Sequence, residues 1–118
     1  MNIIILLKKK KKVCDQPHPL IIQQIIQNCM KGSEGLDLAL QEIHKLYKSG
    51  YSSIDMISTI FKVVKNYDQS MIEYLKLEYI KEIGFVHMRI LSGVNSMLQL
   101  SGLVARLCAV ADKVKANK

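Results

Sequence analysis

The sequence predicts an all-α chain, a compact bundle of about five helices. Three observations predict it. Apolar residues recur at helical spacing over most of the chain, and no run alternates in the strand period between turn signals. Breakers are scarce, with two prolines and six glycines in 118 residues. Aromatic residues make up only 6% and Trp is absent, so the core must be built from Ile, Leu, Val and Met, which suits helix packing.

The first helix follows Asp15-Gln16-Pro17-His18-Pro19, because proline is tolerated in a first turn whose N–H groups lack partners. Ile22, Ile25, Ile26, Cys29 and Met30 then mark its inner face, with Gln23, Gln24, Gln27 and Asn28 opposite. Gly32 is the expected left-handed end. The second runs from Leu36 to Lys48, with Leu36, Ala39, Leu40, Ile43 and Leu46 or Tyr47 inward. Asp37 near its start and Lys48 near its end suit the helix dipole, and Gly50 stops it. The third opens on Ser52 and Asp55, the spacing of a capping box, with Tyr51 and Met56 as the staple. Ile57, Ile60, Phe61 and Val64 continue its stripe to about Asn66.

For the fourth helix, Asp68 is the predicted N-cap, with Met71, Ile72, Leu75, Tyr79, Ile80 and Ile83 on one face. Gly84 is expected to end or kink it, leaving Phe85 to Leu91 as a doubtful continuation. Asn95 or Ser92 introduces the last helix, which runs to about Lys113. Its apolar residues, from Val94 through Leu100 and Leu107 to Ala111, cover most of its circumference. A helix of that kind is either central to the core or covered by a partner. Ser101, Gly102 and Ala105 would let another backbone come close.

Composition excludes several classes of protein. At 49% apolar and 23% charged, the chain is globular rather than disordered. The net charge is +7, of which the unbroken run Lys8–Lys12 supplies five, leaving +2 for the remainder. Residues 1–12 are therefore a basic head, expected to be a disordered tail and open to a nuclear-import or nucleic-acid role. Its five apolar residues precede the lysines, the reverse of a secretory signal, and fall far short of the ~20 that cross a bilayer. Cys14, Cys29 and Cys108 fit neither a disulfide framework nor a metal motif, so free thiols are expected.

No catalytic constellation is present. There is no phosphate-binding glycine loop, no nucleophile elbow and no zinc-protease or EF-hand pattern. His18, His44 and His87 share no ligand spacing. Glu73, Glu78 and Glu82 interleave with Lys76 and Lys81 as surface pairs. No aromatic ladder accompanies the scattered lysines to stack bases.

Four stretches carry a resemblance. Val13-Cys14-Asp15-Gln16-Pro17-His18-Pro19, IFKVVKNY from Ile60 to Tyr67, EYLKLEYIKEIGFVHMR from Glu73 to Arg89, and GVNSMLQLSGLVARLC from Gly93 to Cys108 resemble the C-terminal collar of replication factor C small subunits. The resemblance implies a helical collar over residues 13–113, flanked by the head and by a basic tail, residues 114–118. It implies a role in holding together a five-membered, ATP-driven ring that loads the sliding clamp onto primer–template DNA in the nucleus. ATP and Mg would belong to a preceding AAA+ domain, so no cofactor is expected here. The head stands where the end of that domain's lid would be, and the chain is accordingly expected to be a piece of a longer protein. The region from Ser33 to Leu36 is longer than the family's loop.

The implied partners are other replication factor C subunits, with clamp and DNA reached only through the whole complex and no membrane involved. Candidate contact residues on the fourth helix are Leu75, Ile83 and Arg89. On the last helix they are Leu98, Gly102, Leu103, Arg106 and Leu107. The isolated domain is expected to self-associate as a homo-oligomer. The competing readings are a free-standing basic helical nucleic-acid-binding domain and, more remotely, a small helical enzyme.

Overall fold

The computed structural model describes residues 17–68, 70–93 and 95–116. The Lys8–Lys12 run and Cys14, with whatever the head and the end of the tail do, lie outside the described residues. Five α-helices follow one another, α1 (Pro19–Met30), α2 (Leu36–Lys48), α3 (Ser53–Lys65), α4 (Glu73–Leu91) and α5 (Ser96–Ala116), with a short 3₁₀ turn at Gly32–Gly35. The described residues contain no strand.

α1 starts where the Pro-His-Pro run predicts, and the structure adds the reason. His18 sits at the N-cap with φ −64° and ψ 133°, and its Nδ1 accepts the Leu20 N–H at 3.1 Å. Ile22, Ile25, Ile26 and Cys29 point into the core. Gly32 adopts φ +81°, and a Cβ there would collide with the Asp112 carboxylate. That carboxylate accepts the Ser33 N–H at 3.1 Å, while Lys115 Nζ donates to the Lys31 carbonyl at 2.8 Å. The end of α5 thus clasps the end of α1. Within the Ser33–Leu36 stretch, Ser33 to Gly35 belong to the 3₁₀ turn and Leu36 is the first residue of α2.

α3 has the cap that was expected, Ser52 Oγ accepting the Asp55 N–H at 3.4 Å, with Met56 buried and Tyr51 half-buried as the staple. Phe61 departs from expectation and lies at the surface. Its place on the inner face goes to Thr59, whose hydroxyl is satisfied by the Asp55 carbonyl at 2.8 Å. A small residue with an internal hydrogen bond can be buried close against a neighbour at little desolvation penalty.

α4 corrects two expectations. Asp68 does not cap it, because the N-cap position is Ile72 and the helix begins at Glu73. Asp68 instead closes a local turn, accepting from Ser70 N–H at 2.9 Å and Ser70 Oγ at 2.5 Å. Those bonds hold its carboxyl below the usual carboxylate range. Gly84 neither ends nor kinks the helix, which runs unbroken through Leu91. A mid-helix glycine costs about 1 kcal/mol, and the burial of Ile83, Val86 and Ile90 around it outweighs that at ~1.5–3 kcal/mol per side chain.

α5 is capped by Asn95, whose Oδ1 accepts the Leu98 N–H at 3.0 Å. It packs against α1, α2, α3, α4 and the 3₁₀ turn, so it is the central helix. Leu100, Leu103, Val104, Leu107, Cys108 and Ala111 are buried on it. It also extends past Lys113 to Ala116, with Val114 half-buried against the core, so the first residues assigned to the tail are helical. Cys29 and Cys108 meet between α1 and α5 as free, hydrogen-bonded thiols. That bond and burial together push the Cys29 thiol well above its ordinary range.

Candidate functional site

The surface feature that stands out is on α4. Its inner stripe, Leu75, Tyr79, Ile83, Val86 and Ile90, packs against α3 and α5. The Tyr79 hydroxyl donates to the Leu107 carbonyl at 3.0 Å and pins the helix to α5; burial holds the Tyr79 phenol above its usual range. A second apolar stripe occupies the opposite side. Tyr74, Leu77, Phe85, Met88 and Leu91 share it at spacings of three, eight, three and three residues, with exposures of 60%, 57%, 50%, 67% and 63%. Gly84 lies within this outer stripe, and beyond its chain neighbours and the backbone of its own helical turns nothing comes within 4 Å of where its Cβ would be. At the corner into α5, Leu98 adds a further exposed side chain, at 66%.

The polar groups around the stripe are few. Arg106 Nε of α5 reaches Glu82 Oε2 of α4 at 3.7 Å, and Lys81 reaches Glu78 at 3.9 Å. Both pairs are partly solvated and so contribute little stability. Arg89 is exposed near the end of α4. Side chains of this size carry roughly 200 Å² each, so six of them at half to two-thirds exposure offer on the order of 700 Å². A standard specific interface takes ~800 Å² from each partner.

The structure divides the predicted contact residues into two groups. Leu75, Ile83, Leu103 and Leu107 are core residues, none more than 6% exposed, and their side chains pack within the fold. Leu98 and Arg89 are exposed, while Gly102 and Arg106 are half-buried beside the Glu82 pair. The residues that carry the outer stripe, Tyr74, Leu77, Phe85, Met88 and Leu91, are not among those predicted. A signal for them existed: α4 is apolar on two opposed faces, and one helix face suffices to anchor it.

Nothing in the described residues suggests a reaction centre. His18 caps α1, His44 is exposed, and His87 is half-buried on α4. No group of three or more His, Cys, Asp or Glu side chains there could hold a metal ion. No described helix is long and apolar enough to cross a membrane.

The replication factor C C-terminal domain model matches residues 17–106, which contain the whole of α1 to α4 and the first half of α5. The chain belongs to the replication factor C family. This replication factor C domain is 51% identical over 105 residues to replication factor C subunit 2 of Arabidopsis thaliana, covering 89% of the chain. It is 52% identical over 106 residues to replication factor C subunit 4 of Oryza sativa, covering 90% of the chain. Against replication factor C subunit 4 of Saccharomyces cerevisiae the identity is 42% over 103 residues and 86% of the chain. In each case the aligned region is 30% of the relative's length.

Proposed function

We propose that this domain is an assembly module of a clamp loader, which packs beside neighbouring replication factor C subunits through the outer face of α4 and the start of α5. One observation carries the reading. The domain closes its own core, yet leaves an apolar stripe uncovered, interrupted between Leu77 and Phe85 by the exposed Lys81, and apolar patches of that kind mark interaction sites. Family membership supports the choice of partner. Contacts with the clamp and with primer–template DNA belong to the assembled complex in the nucleus, and ATP chemistry belongs to a domain outside this chain. In isolation the same stripe pairs copies of the domain with one another at high concentration.

The test replaces Leu77 and Met88 together with Glu in the full-length subunit that carries this domain, coexpressed with its sister subunits. Recovery of the subunit in the complex should fall at least tenfold, while the isolated domain keeps its helical circular dichroism and its melting temperature. In light scattering the isolated double variant should be monomeric where the parent associates. Undiminished recovery in the complex would sink the proposal.

A further inference from the structure

The outer face of α4 has a register that packing within one copy does not use. Its exposed positions Tyr74, Leu77, Lys81, Gly84, Met88 and Leu91 follow one another in steps of three, four, three, four and three residues. Spacing that averages 3.5 residues makes a seam along which two helices pack side by side. The order of steps is the same from either end. Turned end for end at the level midway between Glu82 and Ile83, the seam brings Tyr74 level with Leu91, Leu77 with Met88 and Lys81 with Gly84.

The geometry points to a second copy of this chain on that seam, its α4 antiparallel to the first about a two-fold axis. The inference rests on the reading of the outer stripe as an assembly surface, and adds to it the orientation and register in which isolated copies pair. Antiparallel packing sets unlike side chains in every layer. Tyr74 lies against Leu91, Leu77 against Met88, and the exposed Lys81 side chain crosses Gly84, above which no side chain of the same copy stands. A parallel pair would set Lys81 against Lys81, and such like-charge juxtaposition is costly. The charges beside the seam agree. Glu78 and Arg89 are about 20° apart around the helix at 3.6 residues per turn, so they share one flank. In the antiparallel pair Arg89 comes within ~3 Å, or two residues of rise, of the level of Glu78 of the second copy, and symmetry repeats the match. Arg89 is exposed and makes no ion pair among the described residues, while Glu78 holds Lys81 only at 3.9 Å. The area also suffices. The exposed apolar side chains of α4 and the start of α5 offer on the order of 700 Å² per copy, close to the ~800 Å² that a standard interface takes from each side. Paired copies cover the face that sister subunits need, so self-pairing and assembly exclude one another.

The test uses the 118-residue chain at about 0.1 M salt, where exposed charges more than ~10 Å apart are screened and close pairs still act. Sedimentation equilibrium reads the strength of pairing, and native mass spectrometry reads its composition. Arg89→Glu and Glu78→Lys should each weaken self-pairing at least tenfold, because each sets like charges together twice. The double variant Arg89→Glu/Glu78→Lys should return to within about threefold of the parent. Mixing the two single variants should give the mixed pair in at least tenfold excess over either self-pair, since both of its ion pairs are matched. Circular dichroism should be the same throughout, because neither side chain belongs to the core. A parent chain that stays monomeric at millimolar concentration would overturn the proposal. Single variants that pair as well as the parent, the result a parallel arrangement gives, would overturn it too, as would a mixture without excess mixed pairs. Recovery of the full-length Leu77→Glu/Met88→Glu subunit with its sisters decides the assembly reading separately, since it does not depend on this register.

Discussion

The two longest helices, α4 and α5, are built from similar residues and have opposite fates. α5 is apolar around most of its circumference and most of that surface beyond Leu98 is covered, because the other four helices and the 3₁₀ turn pack on it. α4 has a more ordinary composition, but only α3 and α5 cover it, so its second apolar stripe faces outward. The number of neighbours a helix has, not its apolar content, decides how much hydrophobic surface remains for a partner. The final helix therefore belongs mainly to the core, and most of the exposed apolar side chains of the two helices lie on α4.

The comparison can be broken most directly by cutting both helices back. Leu103→Ala or Leu107→Ala on α5 should lower stability by about 2–5 kcal/mol in urea unfolding, as buried leucines do. Leu77→Ala or Met88→Ala on the outer stripe should change it by less than about 0.5 kcal/mol. Comparable losses at both sets of sites would show that the outer stripe is covered within the chain after all.

The link between the two helices has a pH signature. Below the ordinary phenol value of about 10, both folded and unfolded chains keep the Tyr79 proton, and its bond to the Leu107 carbonyl counts in full. Above it the unfolded chain ionises while the buried phenol, its pKa raised by desolvation, holds on. Stability should then fall with rising pH by about 1.4 kcal/mol per unit. Tyr79→Phe should flatten that slope, measured by chemical unfolding between pH 9 and 11 (roughly one unit either side of the ordinary value).

Two glycines sharpen the contrast with opposite signs. Gly32→Ala meets both a left-handed backbone and the Asp112 carboxylate and should cost about 1–3 kcal/mol. Gly84→Ala, in open space on the outer face of α4, should stabilise the isolated domain by about 0.5–1 kcal/mol. Melting temperatures moving in opposite directions would confirm that the first glycine is required by the fold and the second is not.

Smaller effects come from the ends of the elements. Asn95→Ala should cost about 1 kcal/mol by removing the cap of α5, seen as faster amide exchange in its first turn. The lowered pKa of Asp68 adds stability above the ordinary carboxylate range, and that contribution fades as pH falls through its folded value. Asp68→Asn should remove this weak acid dependence.

Helix identity, order and most boundaries were legible because they rest on local physics. The 3.6-residue spacing marks inner faces, Ser52 and Asn95 satisfy exposed N–H groups, and Gly32 and Gly50, at φ +81° and +96°, stop helices where a side chain would be strained. Family membership was legible for the same reason, in stretches that keep both pattern and residue. Where local signals misled, a longer-range term was larger: Asp68 found Ser70 as a nearer partner, and Gly84 was carried by the burial of its neighbours. Tertiary structure alone decided that Asp112 and Lys115 clasp the end of α1, that the Cys29 and Cys108 thiols meet, and that α4 presents a second face. A sequence records how apolar each face of a helix is. Which of those faces meets another helix depends on how all five pack at once, and only that arrangement separates a core residue such as Leu103 from an exposed one such as Leu98.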